Sequence, residues 1–156
     1  MRLLLLFFVV ITLSKNNFAQ NYNVDAYTFH QDITRAQQKI GNDLFEFNRR
    51  ATELNLKILK FTINKNIAFL DSLKVYNNET TYYNSAKKLF ELYKDLAENE
   101  CEQLLKIIED PDLEFPEFKA KKIKIFDSIK LKTEKTYPPF IKAQDDYCTK
   151  YKIKIE

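Results

Sequence analysis

The chain has 156 residues, with 25 Lys and Arg against 22 Asp and Glu, one histidine, two cysteines and no tryptophan. A balance this close to neutral excludes a general nucleic-acid binder, which presents a large basic excess. Gly41 is the only glycine and prolines stand only at 111, 116, 138 and 139, so turn-rich all-β folds and glycine-dependent phosphate loops are excluded as well.

Residues 1–19 read as a signal peptide. Arg2 supplies a positive start, Leu3 to Leu13 form an apolar run and Ala19 offers a small residue for cleavage. The run falls well short of the roughly 20 residues a membrane-spanning helix needs. No cysteine stands near it to accept a lipid. The expected product is therefore freely exported to the periplasm, the medium or the cell surface, with no lipid anchor and no stable transmembrane anchor after cleavage. Removing residues 1–19 takes Arg2 and Lys15 and leaves 137 residues with 23 basic against 22 acidic groups. That is enough for one domain, residues 20–156, burying about two-thirds of its unfolded surface.

From Ala26 onward, apolar or small residues recur at 29, 33, 36, 40, 44, 47, 51, 54, 58 and 61, the spacing of a buried helical stripe. One helix from Asn23, a good N-cap, to Tyr76 would run for roughly 80 Å. A break is expected between Asn48 and Asn55. The second helix then carries Leu59, Ile63, Ile67, Leu70 and Leu73. Tyr76-Asn77-Asn78-Glu79-Thr80 is the clearest internal turn, and the third stripe runs through Tyr82, Ala86, Leu89, Tyr93, Leu96, Cys101, Leu104 and Ile108. A Pro-bounded loop, residues 110–116, leads to a fourth segment with Phe118, Phe126, Ile129, Phe140, Tyr147 and Tyr151. Pro138-Pro139 cannot donate amide hydrogen bonds, so this helix should break or kink there. The expected fold is all-α, a four-helix up-down bundle. Tyr151 to Ile155 alternates like a strand and is the best candidate for extended chain.

Charge is segregated. Residues 91–117 hold ten acids and residues 119–154 hold eleven lysines. Facing antiparallel helices would use both runs; the alternative is that the Lys119 to Lys135 stretch touches an anionic surface. His30 is the sole histidine, so any Ser-His-Asp or Cys-His pair would have to form around it; as a lone histidine it reads as a polar surface residue. No HExxH, CxxC or Glu-x-x-His motif occurs. No catalytic, cofactor-binding or metal-ligating residue is expected, and no cofactor. Cys101 and Cys148 should lie some 35 Å apart along paired helices, too far for a disulfide.

Tyr22-Asn23-x-Asp25, Ala86-x-x-Leu89-Phe90-x-Leu92-Tyr93-Lys94, Phe140-x-x-Ala143-Gln144-x-x-Tyr147 and Lys150-Tyr151-Lys152-Ile153 resemble a family of small exported surface proteins common in Bacteroidota and named from a Leptospira locus. The Asn-Phe-Ala-Gln at residues 17–20 is similar to a Bacteroidota signal ending. The resemblance implies a helical bundle with no established activity, so it assigns no functional residue. Many relatives are lipoproteins with a cysteine after the signal, and their last helix reads as continuous; this chain lacks the cysteine and carries Pro138-Pro139. The expected function is a non-catalytic interaction or structural protein, its partner an envelope protein or lipid component and not a nucleic acid. A small hydrophobic ligand or lipid carrier, with a pocket between the helices, is the alternative.

Overall fold

The computed structural model describes residues 24–154, so the signal peptide expected at residues 1–19 lies outside the described residues. Helix is the one regular secondary structure among those residues, with no strand. Helix α1 spans Val24–Arg49, α2 Glu53–Ser72, α3 Thr80–Glu98, α4 Glu100–Glu109 and α5 Phe115–Lys150, and a single 3-10 turn at Tyr76–Asn78 links α2 to α3.

The expected break between Asn48 and Asn55 falls at residues 50–52. Thr52 caps α2, its hydroxyl accepting the Asn55 amide at 3.2 Å. The next turn is made by Asn77 and Asn78, both with positive φ (46° and 58°), a conformation that asparagine tolerates better than most residues.

The third stripe is interrupted at a residue that no proline or glycine marks. Asn99 leaves regular helix geometry (φ −116°, ψ −75°) and its side-chain amide donates back to the Asp95 carbonyl at 3.0 Å, while the Asn99 amide and carbonyl keep their helical bonds on either side. α3 and α4 are thus one helical path with a one-residue joint.

Two expectations need correction. Of the break or kink expected at Pro138-Pro139, the break is absent: α5 is continuous for 36 residues. The two missing amides leave the Glu134 and Lys135 carbonyls without their usual donors, yet Thr133 and Phe140 on either side are buried and hold the helix to the core, with both prolines exposed. Nor is Tyr151–Lys154 extended. The Ile153 amide donates to the Cys148 carbonyl (2.8 Å) and the Lys152 amide to that of Thr149 (3.2 Å), with Lys152 at φ 56°. This is a Schellman cap in which lysine takes the left-handed position usually given to glycine. Ile153 at its end is buried, so the alternation marks a capped helix end whose apolar residue reaches the core.

α1 packs on α2, α2 on α3, and α3 and α4 on α5. The core is one cluster that includes Ile33, Ile40, Phe47, Leu59, Ile63, Tyr82, Leu89, Phe90 and Phe140.

Candidate functional site

His30 is not a surface residue. It lies on the same side of α1 as Ala26, Ile33 and Ile40 and is 5% exposed. Its Nδ1 sits 3.1 Å from the Tyr82 hydroxyl and 3.6 Å from Cys148 Sγ, so the structure does assemble the one histidine with a thiol. Burial pushes the imidazole down to about 4 and the Cys148 thiol up to about 12, leaving both neutral near pH 7. Sγ is also almost equidistant from the two ring nitrogens, 3.6 and 3.9 Å, a packing contact more than an aligned hydrogen bond. The surrounding rings close the site: Tyr82 stacks at 5.0 Å on Tyr147 and 6.0 Å on Phe140, meets Phe29 edge-on at 6.2 Å, and Tyr147 donates to the Ala26 carbonyl at 3.0 Å. Cys101, also free and buried, is raised to about 12 by the same cause, helped by Glu100.

The acidic and basic runs meet at Lys132. Its ammonium lies 2.5 Å from Asp95 and 2.7 Å from Glu100, and Ser128 donates to Glu100 at 2.6 Å. Glu100 is 4% exposed with its second carboxylate oxygen unpartnered. Against desolvation, the hydrogen bonds that Lys132 donates to Asp95 and Glu100 raise its ammonium above the usual range and favour its charged form. Elsewhere in the basic stretch, Lys121 pairs with Glu117 and Lys130 with Glu134 within α5; such exposed i,i+4 pairs are worth a few tenths of a kcal/mol. Among the described residues, no three His, Cys, Asp or Glu groups come together as a metal site would require.

The second helix carries a feature the sequence reading placed in the core. Leu54, Ile58 and Phe61 continue the α1 stripe arithmetically, but the helix break at residues 50–52 resets the phase. Leu56, Leu59, Ile63 and Leu70 face inward, while Leu54 (66% exposed), Ile58, Phe61 (68%) and Phe69 line the opposite side. At about 100° per residue the two sets centre more than 100° apart. α2 is therefore apolar on two faces, and the outer one, beside exposed Lys57 and Lys65, is left uncovered among the described residues. Each of these side chains would contribute about 1.5–3 kcal/mol if fully buried against something.

A cavity of about 130 Å³ lies between α1, α3, α4 and α5. Gly41, Leu44 and Phe47 line it from α1, Leu92 and Leu96 from α3, Cys101 and Leu104 from α4, and Phe126, Ile129 and Tyr137 from α5. Gly41 stands mid-helix without positive φ, and no atom lies within 4 Å of where its Cβ would be. Mid-helix glycine costs about 1 kcal/mol relative to alanine, and neither backbone conformation nor close packing requires it here.

No family model matches the chain, and neither a curated protein nor a solved structure matches it. Among the described residues no helix is long and apolar enough to cross a membrane.

Proposed function

We propose that this chain is an exported, non-catalytic four-helix up-down bundle that works by binding an envelope or surface partner through the outer face of α2. The up-down arrangement is supported by pairs that join opposite ends of successive helices. Asp71 with Lys87 and Lys60 with Glu102 run α2 against the α3–α4 path. Tyr82 with Tyr147 and Asp95 with Lys132 do the same for α3 and α5. Ala26 at the start of α1 meets Tyr147 near the end of α5.

A non-catalytic role is supported by the state of the reactive groups: protonated thiols, a neutral buried histidine and a lysine held charged between carboxylates. Export rests on residues 1–19, and the resemblance to exported surface proteins on the stretches that begin at Tyr22, Ala86, Phe140 and Lys150. The observation that carries the reading is the outward apolar row Leu54, Ile58, Phe61 and Phe69. Rows of this kind mark interaction surfaces when they are contiguous.

A photo-crosslinking residue at position 61, with one at the exposed Lys142 of α5 as reference, tests it in the native envelope. A reproducible adduct specific to position 61 and lost on Leu54→Glu is the expected result. Equal labelling from both positions, or none from position 61, contradicts the assignment.

A further inference from the structure

We propose that the cavity behind Gly41 is a binding site for a small uncharged molecule with a ring-sized apolar body and a single O–H or N–H donor, of the phenol or indole class. The site is independent of the outer face of α2, which contributes no wall to it.

Three observations carry the proposal. The first is size and lining: about 130 Å³, close to the roughly 150 Å³ of an engineered apolar cavity that stays dry and takes up benzene. Leucine, isoleucine and aromatic walls suit an apolar body and exclude an ion.

The second is Gly41. A glycine at this position disfavours the helix that carries it. It serves neither a tight approach nor a left-handed turn. What it provides is space, on the wall of the largely apolar hollow between α1, α3, α4 and α5.

The third is a polar corner. Gln37 lies one turn before Gly41 on α1, and its amide sits beside the hydroxyls of Tyr93 and Tyr137, where it offsets part of the upward push that burial gives both phenols. Both tyrosines line the cavity. The Gln37 Oε1 is buried and accepts no hydrogen bond. A buried carbonyl oxygen without a donor is costly to leave so. Gln37 does not itself line the cavity; what a ligand O–H or N–H would meet there is the oxygen of Tyr93 or Tyr137, freed to accept when that tyrosine's own hydrogen turns to the buried Gln37 oxygen. The absence of a cation among the lining residues selects a neutral ligand over an acid.

Calorimetric titration of the whole protein with phenol and indole, with toluene and benzoate as controls, tests the site. Saturable one-site uptake of phenol or indole is expected, and no uptake of benzoate. Gly41→Leu and, from the next turn, Leu44→Phe fill the hollow; each should reduce phenol affinity by at least about tenfold while the melting temperature stays at or above that of the parent. Gln37→Met should weaken phenol by about tenfold and leave toluene unchanged. No saturable binding of phenol or indole, or binding that survives both filling variants, overturns the site. Equal loss of phenol and toluene in Gln37→Met overturns the role of the donor.

Discussion

Two stretches of the same core meet the same helices and end up unlike. Where the first turns of α1 meet the start of α3 and the last turns of α5, Phe29, His30, Tyr82, Phe140 and Tyr147 fill the space ring against ring, with hydrogen bonds closing what the rings leave. Three turns further along α1, Gly41, Leu44 and Phe47 face Leu92, Leu96 and Phe126 around a hollow. Both stretches obey the same 3–4 spacing of apolar positions. Periodicity decides which face turns inward; side-chain volume decides whether the inside is full.

Removing a ring from the filled stretch should break this contrast most severely. Tyr82→Ala, at a position 1% exposed and touching four rings, is expected to cost about 3–5 kcal/mol in chemical denaturation.

Acid should open the same stretch next. The folded state holds His30 down at about 4 against the ordinary 6.5, so between those values the unfolded chain binds the proton that the folded chain refuses. Stability supplied by the neutral imidazole is complete above pH 6.5 and is lost as pH falls toward 4, by about 3 kcal/mol in total. Denaturation midpoints measured between pH 7 and 4 should fall with that slope, and His30→Phe should flatten it.

In the hollow stretch the sign reverses. Gly41→Ala adds a methyl where nothing stands within 4 Å and should raise stability by about 1 kcal/mol in the same assay. A loss there would mean the space is not as open as the structure has it. Smallest of all, Leu54→Glu on the outer face of α2 should change stability by no more than about 0.5 kcal/mol while removing the position-61 adducts.

Much of the helical layout was legible in the sequence because it depends on spacing and punctuation alone. The break near residues 50–52, the turn at Tyr76–Thr80 and the inward stripe through Tyr82, Ala86, Leu89 and Leu96 all follow from 3–4 periodicity and from asparagine or proline breaks. What spacing cannot carry is phase across a turn, which is why Leu54, Ile58 and Phe61 read as core and are outside. It also cannot weigh packing against proline. Phe140 and Thr133 hold α5 continuous through Pro138-Pro139. His30 read as polar surface because a histidine's partners lie far away in sequence, here at Tyr82 and Cys148. The outer face of α2 had one available signal: Leu54, Ile58 and Phe61 cannot share a face with Leu56, Leu59 and Ile63 in one helix, so two apolar stripes were already written there. For the hollow, the signal was the lone glycine set mid-helix.

The most direct measurement is a methyl-resolved NMR titration of the protein with phenol. Saturating shift changes should be confined to Leu44, Leu92, Leu96, Leu104 and Ile129 around the hollow, with Ile33 and Leu89 beside the filled stretch and Leu54 and Ile58 on the outer face of α2 unmoved. Changes spread over both stretches of the core, or confined to Leu54 and Ile58, would contradict a molecule that is solid in one half and built to receive a ligand in the other.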